Sequence, residues 1–316
     1  MRRELNVRNM HVSGLQKLGP MAGLLLMVIL LAIISQDFLS ITNIFNIFRQ
    51  ISINALLAFG MTLVILTGGI DLSVGSILAL AGVLTASMVG MGLPPWLAIL
   101  LGICTGALMG SINGLFIAIG RVAPFIVTLA TLSLYRGLTL VYTDGRPLLS
   151  DNPDFVILGQ GYLFEVPVPV IWMLVLFFLL SFLLKNTPFG RHIYALGGNE
   201  EAALLSGVRT TRVKIMAYTL CGAFASLAGI ILTARLSSAQ PTMGSGYELS
   251  AIAAVVLGGT SLAGGKGWIT GTLIGAMIIG VLDNGLNLLN VSTFYQQVVK
   301  GAVILLAVLV DRSEKS

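Results

Sequence analysis

Between residues 18 and 310 the chain is a succession of apolar stretches about 20 residues long, with no hydrophilic tract between them large enough for a separate soluble domain. A helix of that length crosses the roughly 30 Å of bilayer hydrocarbon at about 1.5 Å per residue and satisfies its backbone groups internally. The stretches lie at 18–34, 51–67, 72–89, 96–119, 122–142, 168–184, 213–232, 249–257, 268–288 and 294–310. They predict an all-α polytopic membrane protein of roughly ten transmembrane helices, built as one transmembrane unit over residues 1–316. The eighth stretch is short. Only 10% of residues are charged, against about 25% in an average soluble domain, so a soluble catalytic domain has no room.

The net charge of +5 reflects topology and not nucleic-acid binding. With the N-terminus in the cytoplasm, Arg2, Arg3, Arg8, Lys17, Arg121, Lys185, Arg191, Arg209, Arg212, Lys214, Lys266, Arg312 and Lys315 fall inside. Arg49, Arg146 and Arg235 fall outside. The excess of inside positive charge places both termini in the cytoplasm of a multi-pass protein. The outside loop "TDGRPLLSDNPDFVILGQGYLFEVP" carries Asp144, Asp151, Asp154 and Glu165 against one arginine and fits the same orientation. The basic N-terminus followed by an apolar run resembles a signal peptide in order. It ends in "SQDFLS", without small residues spaced for cleavage, and predicts an uncleaved first span.

Two stretches depart from simple anchors. "VILTGGIDLSVGSILAL", 64–80, sets an aspartate and three glycines in an apolar run, where charge and helix-loosening residues are both costly. "LTGGIDLSVG" aligns without gaps on "VLGGTSLAGG", matching Gly68, Gly69, Leu72 and Gly75 to Gly258, Gly259, Leu262 and Gly265. Glycine-interrupted segments in corresponding places of two halves point to a midplane pathway in transporters. The repeats are either parallel or inverted. Asp71 either caps the following helix through the amides of Ser73 or Val74, or lines a path or gate, or carries a proton. The substrate path or gate is expected at Asn54, Gly68, Gly69, Asp71, Ser73, Gly258, Gly259 and Ser261.

The longest inside loop, "KNTPFGRHIYALGGNEEAALLSGVRTTRVK" at 185–214, is expected to be broken by Pro188, Gly190, Gly197 and Gly198. Asn199 then caps a short helix through Glu200, Glu201, Ala202, Ala203, Leu204 and Leu205, closed by Gly207. Its acids sit in the first turn, where the helix dipole favours them. Leu204 and Leu205 need an apolar partner, either in the membrane domain or on another protein.

Here the sequence resembles a known family. "EAALLSG", 201–207, has the Glu-Ala-Ala, three residues, Gly spacing of the coupling motif of ABC importer permeases. "GMTLVILTGGIDLSVGS", "GRHIYALGGNEEAALLSGV", "ARLSSAQPTMGSGYELSAIAAVVLGGTSLAGGKG" and "GTLIGAMIIGVLDNGLNLLNVS" are similar to the monosaccharide-importing branch. The resemblance runs from about residue 38 to 311. One departure is that Gly207 is followed by "VRTTRVK" and no Leu-Pro pair. The resemblance implies a homodimer of two permease copies in the bacterial inner membrane, in contact with membrane lipid. It also implies a cytoplasmic ABC ATPase that binds ATP and Mg2+, with two modules on one chain or two, and a periplasmic sugar-binding protein. The helix from Asn199 would dock in a groove of that ATPase. The branch leaves the imported monosaccharide open.

No catalytic, metal-binding or cofactor-binding residues are expected in this chain. "GTSLAGGKG", 259–267, fails as a phosphate loop, because Thr260 stands at the first glycine position and Gly267 at that of the hydroxyl residue. Cys104 and Cys221 read as small core residues. Asp283 and Lys300 are expected to pair between the last two spans, and Arg49, Asp144 or Glu248 to meet a delivering protein outside. The rival class is a secondary transporter or channel needing no ATPase, which the 190–214 loop discriminates against.

Overall fold

The computed structural model describes residues 19–313, and within them the chain is almost entirely helical. Arg2, Arg3, Arg8, Lys17 and Lys315, on which part of the orientation rests, lie outside the described residues. Each predicted apolar stretch coincides with a helix: α1 (Gly19–Ile34), α2 (Ile41–Leu66), α3 (Val74–Gly90), α4 (Pro95–Ala118), α5 (Pro124–Thr143), α7 (Val168–Asn186), α10 (Thr210–Leu236), α11 (Tyr247–Leu257), α12 (Ile269–Leu288) and α13 (Thr293–Ser313). Of these, α2, α4, α5, α7, α10 and α12 are long and apolar enough to cross a membrane. At 11 residues α11 spans only about 16 Å, half of what a crossing needs. The chain is therefore an all-α polytopic membrane protein. It carries besides a short helix, α6 (Pro153–Gln160), and two small antiparallel ladders, β1 (Leu148–Leu149) with β4 (Ser238–Ala239) and β2 (Tyr162–Leu163) with β3 (Val166–Pro167).

The core is built around α2 and α10, whose apolar windows are 89% and 72% buried, against 28% for α4, α5 and α7. Close approach of α4 to α10 rests on small residues at four-residue spacing, Gly102, Gly106, Gly110 and Gly114. A β-carbon on Gly106 or Gly110 would strike the backbone of Gly222 or Tyr218 in α10. Such stripes replace the hydrophobic drive that is missing between helices in lipid. On its other side α2 lies antiparallel to α12. Asn43 and Asn284 exchange amide hydrogen bonds of 3.1 and 2.7 Å, Gly280 packs on Ile51, and the Thr62 and Thr272 hydroxyls are 2.8 Å apart.

Two expectations are corrected. Residues 188–198 are not a broken loop but a continuous helix, α8 (Pro188–Gly198). Pro188 occupies its first turn, where a missing N–H costs nothing, and Gly190 and Gly197 lie where a β-carbon would collide with the backbones of Leu184 and Leu66. These glycines serve contact and not interruption. Cys221 is buried, but Cys104 faces outward on α4.

Candidate functional site

Two regions about 18 Å apart along α2 concentrate the polar and broken backbone. At the end where α10 finishes, a cavity of about 380 Å³ is lined by Gln50 and Asn54 of α2, Arg235 of α10, Gln240 and Gly244 of the following stretch, and Tyr247 of α11. Of the predicted path residues, only Asn54 lies on its wall. Gln50, Arg235, Gln240 and Tyr247 were not singled out as path residues by sequence, because nothing local marks polar residues from four segments as neighbours. Arg136 of α5 holds the 240–246 stretch in place, its guanidinium donating to the carbonyls of Pro241 at 2.6 Å and Met243 at 2.8 Å. Glu248, expected to face a delivering protein, instead turns back to accept the Gly246 amide at 3.1 Å and sits half-buried beside Gly75.

In the other region lie the breaks. After α2, the amides of Gly68 and Gly69 bond back to the carbonyls of Ile65 and Val64, with Gly68 left-handed at φ +82°. After α11, those of Gly259 and Thr260 bond to Val256 and Val255, with Gly259 at the same φ. Both are glycine helix stops, whose αL residue satisfies carbonyls that a helix end leaves free. They equate Gly68 with Gly259, one residue away from the ungapped sequence alignment, which paired Gly68 with Gly258. Gly258 is instead packed on the Gly271 backbone, and its carbonyl accepts the Trp268 indole N–H at 2.9 Å.

Asp71 and Ser73, within the first break, are fully buried. The Asp71 carboxylate accepts both the amide and the hydroxyl of Ser73, at 2.9 and 2.6 Å, and Asn113 of α4 donates to that hydroxyl at 2.8 Å. Asp71 thus braces the start of α3 through Ser73, which itself occupies the cap position. In the second break, Ser261 receives no helix. Its amide bonds to the Lys266 carbonyl at 2.9 Å and its hydroxyl accepts the Ala263 amide at 3.3 Å, closing a tight loop. The amides of Gly264 and Gly265 are committed to the carbonyls of Ser261 and Leu66.

The breaks adjoin α8 and α9 (Glu200–Leu205). Asn199 Oδ1 caps α9 by accepting the Ala202 amide at 2.9 Å, and Gly207 at φ +83° ends it, as the sequence predicts. Glu200 is tied to Lys214 of α10 at 2.7 Å, while Glu201 and Ala202 are exposed and Ala203 is buried underneath. Leu204 is 60% and Leu205 90% exposed. On α8, the Tyr194 hydroxyl donates to the Gly267 carbonyl at 2.9 Å, and burial pushes its phenol above the usual tyrosine range, which keeps it a donor. Among the described residues no group of three or more His, Cys, Asp or Glu side chains is placed to hold a metal ion.

Residues 43–308 match the family model described as branched-chain amino acid transport system / permease component. The chain is 59% identical to the ribose import permease protein of Bacillus subtilis, over 98% of this chain and 97% of that one. It is 55% identical to the ribose import permease protein of Escherichia coli K12, over 92% of each. With the D-allose transport system permease protein of the same organism it shares 44% identity, over 87% of this chain and 85% of that one. No solved structure matches it. These relatives are permease subunits, not enzymes, and ATP hydrolysis belongs to a separate subunit. An all-helical membrane protein with two glycine-stopped breaks and a capped, leucine-bearing helix beside them, matched by transport permeases along nearly its whole length, belongs to the permease-component family of ATP-binding cassette importers.

Proposed function

We propose that this chain is the membrane-spanning subunit of a D-ribose importer in the bacterial inner membrane, working as one of two permease copies. The observation that carries the substrate is the identity with the ribose import permeases of Bacillus subtilis and Escherichia coli K12, which exceeds that with the D-allose permease by more than ten percentage points. In this reading α9, from Asn199 to Ser206, docks on a cytoplasmic ATPase that binds ATP and Mg2+. A helix that presents Leu204 and Leu205 to water supports an apolar socket on a partner. Both termini are cytoplasmic, the ten apolar helices form one transmembrane unit in contact with lipid, and the two broken segments are related as repeats. The cavity at Gln50, Asn54, Arg235, Gln240 and Tyr247 faces the periplasm and receives sugar from a binding protein. Its amides, guanidinium and phenol offer both donors and acceptors to the hydroxyls of a neutral polyol. Gly68, Gly69, Gly258, Gly259 and Ser261, with the Asp71–Ser73 brace, form the gate below it.

The test is purification of the tagged chain from its native membrane, followed by assay of ATP hydrolysis in what accompanies it. Co-purifying ATPase stimulated by ribose-loaded binding protein is the expected result. A lone permease that carries ribose into liposomes without ATP would replace this reading with a secondary transporter.

A further inference from the structure

The cavity and the α9 end are joined by two helices that share both regions. Helix α2 carries Gln50 and Asn54 on the cavity wall and ends at Leu66, about 18 Å further on. Helix α11 begins with Tyr247 in the same wall and ends at Leu257, about 16 Å away. Their broken ends meet. The Gly265 amide, in the stretch that follows α11, donates to the Leu66 carbonyl at 3.0 Å, and a β-carbon on Gly264 would lie 2.9 Å from the Gly68 nitrogen.

The end of α8 is seated on this meeting point. A β-carbon on Gly197 would collide with the Leu66 carbonyl and the Gly265 nitrogen, and one on Gly265 would lie 2.7 Å from the Gly198 nitrogen. Tyr194, one turn earlier, holds the far side of the second break through Gly267. Asn199, the cap of α9, follows directly. Three backbones are thus in contact where no side chain intervenes. Packed backbones shift as discrete units and do not deform continuously, so a displacement of α9 reaches both helices at once.

We infer that Tyr194 and Gly197 are positioning residues of import, forming a joint that delivers movement of the docking helix to α2 and α11 and hence to the cavity. This rests on the assignment of α9 as the ATPase-docking helix.

The experiment uses the complete importer in liposomes and measures, for each variant, ATPase retained on purification, stimulation by ribose-loaded binding protein, and ribose imported per ATP hydrolysed. Tyr194→Phe keeps the ring and removes the bond to Gly267. Gly197→Ala forces the joint apart, whereas Gly198→Ala adds the same methyl where nothing lies within 4 Å. Tyr194→Phe and Gly197→Ala should retain the ATPase yet lose stimulation and import per ATP by about fivefold or more, the low end of a coupling between sites. Gly198→Ala should lose far less. Wild-type coupling in Tyr194→Phe, with the ATPase retained, overturns the joint and leaves docking intact, and it decides the matter if Gly197→Ala fails to assemble. A Leu205→Asp importer that keeps its ATPase overturns the docking assignment instead.

Discussion

Asp71 has one oxygen engaged twice by Ser73 and the other without a hydrogen-bond partner, at zero exposure. No lysine, arginine or histidine forms a salt bridge with it among the described residues. An unpaired charge there is costly, whereas a neutral amide keeps the acceptor that Ser73 needs. Asp71→Asn should therefore leave ribose uptake near that of the wild type, and Asp71→Ala should destabilise the permease by about 1–3 kcal/mol by stranding the Ser73 donors. Both are checked by uptake alongside thermal unfolding of the solubilised chain, and loss of uptake in a stable Asp71→Asn protein would put the carboxylate on the path. What was legible at this scale is local: the Asp71–Ser73 turn and the Asn199 cap close within two or three residues, so residue type and spacing announce them. The cavity was not legible beyond Asn54. Gln50, Arg235 and Tyr247 meet only because α2, α10 and α11 pack side by side, and Arg235, expected in an outside loop, is in the last turn of α10.

Among the elements, α9 is set by its own sequence and α8 by its neighbours. Asn199, the first-turn acids and Gly207 delimit α9, and Lys214 of α10 adds an ion pair to Glu200. In α8 the same glycine vocabulary has the opposite meaning, since Gly190 and Gly197 lie inside the helix and are required by backbones elsewhere in the chain. A sequence cannot separate a glycine that stops a helix from one that admits a contact. The α4 glycines, Gly102 to Gly114, belong to the second kind and carried no signal beyond their spacing. Gly110→Leu should prevent α4 from seating on α10 and cost several kcal/mol, read as loss of folded permease in detergent. At the exposed tip of α9, Leu205→Asp should change stability by less than about 0.5 kcal/mol. It should still strip the ATPase from purified complexes, which co-purification against a membrane-level control would reveal.

Across the whole molecule, the expected pairing of Asp283 with Lys300 is present at 2.9 Å and ties α12 to α13. Removing one partner strands a charge in an apolar setting, while removing both does not. Asp283→Asn should reduce assembled permease, and Asp283→Asn/Lys300→Met should recover much of it, measured as yield of folded chain per membrane. Equal failure of both would deprive the pair of a structural role. The sequence made the helical segments plain because hydropathy is additive along the chain. It also marked α11 as too short to cross, but it left hidden that the two breaks touch, since that depends on how distant segments stack.

The antiparallel seating of α12 on α2 bears on biogenesis. Asn43 and Asn284 satisfy each other, yet 241 residues separate them. At ordinary rates of synthesis, on the order of ten seconds or more pass before the second asparagine leaves the ribosome. Until then α2, the most enclosed of the candidate spans among the described residues, has only its local bonds, from Asn43 to the Phe38 carbonyl and from Thr62 to the Ala58 carbonyl. The face of α2 that α12 covers is therefore completed late in synthesis, and a chain that stops before α12 leaves it facing lipid without the Asn284 and Thr272 partners.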